Sequence, residues 1–517
     1  MNSINRRSAL LAGLAAAGAG ALAACGGSGS APTLVSPDSK VVATTERKRK
    51  GTGKVRDVTL TAAPATLDLG AKVTAKSWAY GGRTPGKEIR LSAGETLAAE
   101  LSNQLPDRTT TSVHWHGIAL RADMDGVPPA TQDAVRAGRT FTYRFLADTP
   151  GTYFFHPHVG VQLDRGLHAP LIVEDPREPL SYDDEWVVVL DDWIDGVTGT
   201  PDQVLAELSH GMGGMGEMNG MDMSGGATGK GGEAASGSMR FMLMGARSSL
   251  LGGDAGDVAY PYHLVNGRVP ADPDVYSGKP GTRVRLRFIN AGGDTAYRVA
   301  LGGHKLTITH TDGFPVAHQR VDALLVGMGE RYDVLVTLAD GVFPLVARAE
   351  GKNAGGMALV RTGSGAAPKP TVRPKELDGM IMSSTGLKAA DDVRLDTKKT
   401  DRVHRIELTG GMAKYDWGIN GRRYDMKRPT AHPLLVEQGE RVRLDFVNKT
   451  DMWHPMHLHG HTYQLGTGGP RKDTTIVLPG RTVSVYFDAD NPGQWMLHCH
   501  NAYHGEAGMM ALLAYRA

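Results

Sequence analysis

The chain has 517 residues, enough to bury several hydrophobic cores, so two to four domains are expected. Lys and Arg total 57 against 55 Asp and Glu, a net charge of +2, and no basic stripe is present that would track a nucleic acid. With only Cys25 and Cys499 present, disulfides are not what holds this fold together.

The first 25 residues read as an export signal. Arg6-Arg7 opens it and resembles a twin-arginine signal, although Ala9 stands where a bulkier residue is more usual. The Ala/Gly-rich run Ala9 to Ala24 is too short and too weakly apolar for a membrane span. Leu22-Ala23-Ala24-Cys25 resembles a bacterial lipobox, which implies a lipidated Cys25 and a protein anchored on the outer face of the cytoplasmic membrane. Residues 26–54 are rich in Gly, Ser, Pro, Lys and Arg and read as a flexible tether, its Arg47-Lys48-Arg49-Lys50 run solvated.

From Val55 onward short alternating runs lie between Gly, Pro, Asp and Asn. Examples are Arg283-Val284-Arg285-Leu286-Arg287-Phe288-Ile289 and Arg441-Val442-Arg443-Leu444-Asp445-Phe446-Val447. Period-two alternation predicts half-buried strands, and many of them predict β-sandwiches. The pattern repeats every 150 to 190 residues or so, which predicts domain 1 at about 55–176, domain 2 at 177–362 and domain 3 at 400–517. Residues 363–399 read as a linker, and 208–240 as a low-complexity Gly/Met/Ser insert of domain 2.

Aligned on a shared glycine, the repeats show where metal chemistry sits. Domain 3 carries His454, His457 and His459, domain 1 Thr111, His114 and His116, and domain 2 Tyr297, Ala300 and Gly302. The later motif has His498, Cys499, His500, His504 and Met509 in domain 3, and His156 and His158 in domain 1. Domain 2 has Val346, Ala347 and Arg348 there, without a ligand. A strand puts alternate side chains on one face, so each His-X-His presents two imidazoles together. Paired strands from domains 1 and 3, facing each other, can enclose copper in an all-imidazole cage. Cys499 points to the opposite face, where His454, His504 and an axial Met509 complete the His₂Cys-plus-Met set of a blue-copper site. Met510 competes for the axial position, though the spacing from Cys499 favours Met509.

These motifs, with Asp123-Met124-Asp125-Gly126-Val127-Pro128 and the run Gly151 to Gly166, resemble the multicopper oxidases over residues 55–517. The resemblance implies an all-β chain of three consecutive cupredoxin-like Greek-key β-sandwiches. It implies four copper ions: type 1 on His454, Cys499, His504 and Met509, type 2 on His114 and His457, and a type 3 pair on His116, His156, His158, His459, His498 and His500. Dioxygen is the implied acceptor. Asp125 matches the family's proton-donating acid, against the alternative of a turn-forming aspartate. Glu506 is a second candidate, to relay protons or receive a metal-ion substrate, against a solvated loop carboxylate. A three-domain chain holds both halves of the cage, so a monomer is expected. The nine remaining histidines read as structural.

Met212, Met215, Met218, Met221 and Met223 lie in a glycine background that packing cannot explain. Thioethers favour Cu(I), so the insert reads as a Cu(I)-gathering collar resembling segments of cuprous oxidases. The first expectation is therefore oxidation of Cu(I), or of Fe(II), in copper tolerance. The alternatives are laccase-like oxidation of phenols and a non-catalytic copper-binding surface protein.

Overall fold

In the computed structural model the described residues are 32–211 and 239–517, so Cys25 and the five methionines of the expected collar lie outside them. The chain builds three β-sandwiches in series. In domain 1, Val73–Tyr80, Val55–Gly70, Glu95–Asn103 and Thr140–Ala147 form one sheet. Ile89–Ser92, Ala169–Glu174, Gly151–His156 and His114–His116 form the other. Domain 2 stacks two six-stranded sheets and domain 3 a six-stranded on a five-stranded sheet. In each domain the first strand runs parallel to a later one of the same sheet: Val55 to Ala62 beside Thr96 to Asn103, Asp184 to Leu190 beside Val284 to Asn290, and Arg402 to Leu408 beside Val442 to Asn448. Alternation fills each interior, as with Val284, Leu286 and Phe288 of domain 2 or Val442, Leu444 and Phe446 of domain 3, all buried.

A buried asparagine closes every sandwich in the same way. The amides of Asn103, Asn290 and Asn448 each donate to two backbone carbonyls, and their oxygens accept from the N–H two residues on. Each satisfies backbone groups that would otherwise be stranded where the chain leaves its strand.

The ligand-bearing strands pair at equivalent positions. His114 lies opposite His156 in domain 1, His457 opposite His498 in domain 3, and Ala300 opposite Val346 in domain 2. This is the correspondence that the repeat alignment predicts.

Two expectations are corrected. Residues 32–54 are not a tether. Val35 N–H donates to Tyr515, Val42 of helix α1 (Lys40–Lys48) is buried in the domain 3 core, and Thr52 N–H donates to Gly94. Residues 363–399 are not a free linker. Leu377, Leu387 and Ala389 are buried, and Ile381–Met382 adds a parallel strand beside Ala323–Val326. In both segments a few apolar residues anchor a polar, Pro/Gly-rich chain, which composition averages away. The described ends of the insert pack as well. Leu208, on helix α2 (Pro201–Ser209), is buried, and Met239 rests on the domain 3 core.

Candidate metal centre

Domains 1 and 3 present their paired strands to each other. The rings of His116 and His457 stack at 3.8 Å between centroids and those of His114 and His459 at 3.7 Å. His498 approaches His459 at 3.1 Å between Nε2 atoms, while His500 sits edge-on to His116 and His156. All eight imidazoles are buried except His158, which is half-buried. Burial, joined by the neighbouring imidazoles, pushes His116, His156, His158, His459, His498 and His500 well below the ordinary histidine pKa. Neutral imidazole is the metal-binding form.

Hydrogen bonds fix which nitrogen six of the eight rings offer. His114 Nδ1 donates to the Asp125 carbonyl at 3.0 Å, His156 Nδ1 to Pro157 at 2.9 Å, His457 Nδ1 to Asp473 at 3.0 Å and His498 Nδ1 to Cys499 at 2.9 Å. His459 Nδ1 donates to Asp125 Oδ2 at 2.9 Å. These five rings keep the Nε2 lone pair for the interior. His116 is reversed: its Nε2 faces Asp473 Oδ1 and Thr474 Oγ1, both at 3.2 Å, and its Nδ1 is free. Among the described residues His116 Nδ1, His156 Nε2, His158 Nε2 and both His500 nitrogens are buried with no hydrogen-bond partner. Orphaned acceptors converging in one place are costly unless a cation satisfies them, so the donor set fits bound metal.

The second pocket lies on the other face of the strand Gln494–Cys499. His454 Nδ1 and His504 Nδ1 are 3.1 Å apart, and Cys499 Sγ is 3.6 and 3.8 Å from them. His454 Nε2 donates to Thr450 Oγ1 at 2.8 Å, and Thr450 in turn donates to Asn448, the asparagine that closes domain 3. His504 sits on helix α3 (Ala502–Ala507), capped by the Asn501 side chain, whose amide donates to Asp294 of domain 2. Met509 is buried in the same core as Cys499, and its carbonyl accepts the Cys499 N–H. Met510 begins a strand and packs into a different cluster. The two neighbours thus part company, Met509 joining the core that holds Cys499 and Met510 leaving it.

Asp125 is fully buried and its carboxylate reaches two cage rings, His459 at 2.9 Å and His114 at 3.2 Å. It is no mere turn residue. Glu506 is half-buried on α3, its pKa raised by burial and by the charge of Asp202 on α2. Among the described residues no hydrogen bond or ion pair joins it to a candidate ligand.

Three groups escaped the sequence reading. Asp257 of domain 2 accepts His504 Nε2 at 2.9 Å and the Tyr415 hydroxyl at 2.7 Å. Burial lowers the His504 pKa, but the charge and hydrogen bond of Asp257 outweigh it and raise it to about 10. Asp473 faces His116 and His457, and Arg331 of domain 2 holds Asp473. None has a ligand-motif signature, since their targets are remote in sequence.

Family models, each described as multicopper oxidase, match residues 61–178, 184–365 and 398–517, the whole of the three-sandwich body. The multicopper oxidase MmcO of Mycobacterium tuberculosis is 46% identical over 99% of this chain and 96% of its own. The chain is a multicopper oxidase. It is a copper-dependent oxidoreductase. A copper resistance protein A homolog of Pseudomonas syringae pv. tomato is 30% identical over 83% of this chain and 87% of its own. The laccase of Botrytis aclada shares the fold, with a TM-score of 0.72 at 23% identity over 92% of this chain and 90% of that one.

Proposed function

We propose that this multicopper oxidase oxidises Cu(I) at a type 1 copper held by His454, Cys499, His504 and Met509, and passes the electrons to a three-copper cage where dioxygen becomes water. In this reading His114 and His457 hold the type 2 copper, and His116, His156, His158, His459, His498 and His500 the type 3 pair. Copper supplies the one-electron redox steps and the binding of dioxygen. The residues do the rest. His498, Cys499 and His500 are consecutive, so the thiolate pocket and the cage share a covalent backbone path. Asp125 orients His459 and His114 and offers carboxylate oxygens at the cage to carry protons.

The observation that carries the substrate choice is Asp257. His504 is fully buried, and its outer nitrogen is covered by a carboxylate rather than open to an aromatic ring. Asp257 Oδ1 is buried and has no hydrogen-bond partner among the described residues. A carboxylate with a spare oxygen attracts a cation, and it touches the ring through which electrons would arrive. Met239 and Met412 add soft donors that pack, partly buried, against the large core containing Trp417 and Met509. Gly211, the last described residue before the insert, lies so close to Ala413 that a side chain would collide with its carbonyl. Gly211 therefore lies beside the loop leading to Tyr415 and Trp417, and the proposed collar methionines Met212, Met215, Met218, Met221 and Met223 follow it in sequence. The copper resistance relative supports the same reading.

The test is stopped-flow oxidation of Cu(I) and of a phenol by parent, Asp257→Asn and a variant lacking residues 212–238. Cu(I) oxidation by Asp257→Asn should fall at least about tenfold, in line with the loss of a group orienting a ligand, while phenol oxidation falls less. Unchanged Cu(I) turnover in both variants sinks the cuprous reading. We further propose export and anchoring through Cys25, and a monomer. Recovery of the native protein from the soluble fraction rather than from membranes would refute the anchor.

A further inference from the structure

Among its described residues domain 2 offers no candidate ligand to the cage or to the type 1 pocket, yet one of its loops is driven into the cage wall. Gly329, at φ +80°, lies against two rings: a Cβ there would stand 2.9 Å from His500 Cδ2 and 3.0 Å from His116 Cε1. Two residues on, Arg331 is fully buried and its guanidinium meets Asp473 as a fork, Nη1 to Oδ1 and Nη2 to Oδ2, each at 2.7 Å. Arg331 Nε donates to the carbonyl of Thr152 in domain 1 at 3.0 Å. One side chain of the middle domain thereby ties both outer domains together. Gly117, next to His116, has no room for a Cβ because Arg331 Nη2 would lie 2.2 Å from it.

The support behind the fork is also complete. Asp312 Oδ1 accepts the Arg331 N–H at 2.9 Å, and its Oδ2 accepts the N–H groups of Asp473 and Thr474 at 3.2 and 3.1 Å. Lys472 bridges Asp312 and Glu330, both at 3.1 Å. The carboxylate of Asp473 cannot rotate without breaking this lattice. Its Oδ1 faces His116 Nε2 at 3.2 Å and receives the Thr474 hydroxyl at 2.8 Å. His116 is the ring whose orientation is reversed, with its Nδ1 turned to the cage.

We propose that Arg331 is a positioning residue for the cage: by locking the rotation of Asp473 it holds the proton of His116 on Nε2 and presents Nδ1 to the metal. The middle domain thus sets the donor atom of a ligand that belongs to domain 1. The inference rests on the proposed copper cage. A simple stabilising ion pair would not care which ring nitrogen is protonated, and this difference makes the proposal testable.

Two variants separate the possibilities. Arg331→Lys keeps the buried charge and loses the fork. The double variant Arg331→Met with Asp473→Asn removes both charges together, so neither is left buried alone. The readouts are copper bound per chain across a chelator series, the near-ultraviolet absorbance of the type 3 pair and the type 1 absorbance. Both variants should hold cage copper about 10–100-fold more weakly, the loss typical when a group orienting a ligand is removed. The type 3 spectrum should shift and the type 1 absorbance should stay. Parent-like cage affinity and spectrum in Arg331→Lys overturns the proposal. Loss of type 1 and cage copper in step in both variants does so too, because the pair would then be needed only for folding. A parent protein that takes up no cage copper would instead sink the proposed function.

Discussion

Domain 2 and its two neighbours pair equivalent strands at equivalent positions and put different chemistry on them. His114 opposite His156 and His457 opposite His498 aim imidazoles across a domain boundary, whereas Ala300 opposite Val346 stays apolar and inside. What domain 2 gives its neighbours comes from other places. Asp257 reaches His504, Asp294 the residue capping its helix, Arg331 the carboxylate on His116, and Asp333 the Thr152 hydroxyl of domain 1. The outer domains supply donor atoms and the middle domain supplies groups that orient them. Donors need the regular two-residue spacing of strands. Orienting groups need only reach, so they sit wherever the fold brings them.

That division can be broken most sharply on the donor side. Cys499→Ser should abolish the blue absorbance and all measurable substrate oxidation, while the cage, built from other side chains, keeps its copper. Copper analysis beside absorbance at the type 1 band checks this, and surviving oxidation would refute the assigned electron path. A smaller effect is expected from Asp125→Asn, because the amide retains one acceptor and loses the charge. Oxygen consumption should fall about 10–100-fold. Anaerobic reduction of the type 1 copper by substrate, followed by stopped flow, should stay near the parent rate. Equal loss in both would place Asp125 in folding rather than at the cage.

The smallest effect concerns the seam between domains 1 and 2. Asp333 is fully buried. Burial raises its pKa, but Arg285 and Arg287, with His310 and the Thr152 hydrogen bond, bring it down to about 2. Its unfolded value is about 3.9. This group's stabilisation is therefore complete above about pH 4 and is lost as the pH falls towards 2, on the order of 2 kcal/mol in all. Urea unfolding at pH 5 and at pH 3 reads it, and Asp333→Asn should flatten the difference. An unchanged acid dependence in that variant would mean that other carboxylates account for it.

Much of this protein was legible in its residues. The alternation of Val442, Leu444 and Phe446 betrays a strand because burial on one face needs apolar side chains at every second position. The His-X-His pairs betray a metal for the same reason. Composition misled where few residues carried the packing. Val35 and Val42 dock a segment that averages as a tether, and Leu377 and Leu387 dock one that averages as a linker. Glu506, the weaker candidate between His504 and Met509, makes no hydrogen bond or ion pair to a candidate ligand among the described residues, and residues two apart on a helix do not share a face.

By itself the sequence determined the three repeats, the ligand-bearing strands and the copper chemistry, because each is written in local periodicity. The tertiary structure alone decided that Asp125 reaches two rings and which nitrogen six of the eight cage histidines offer. It also decided that groups of domain 2 orient candidate ligands of the other two domains. A hydrogen bond between Asp257 and His504 joins residues 247 positions apart. No spacing rule spans that distance. Only the packing of three sandwiches against one another brings such groups within reach.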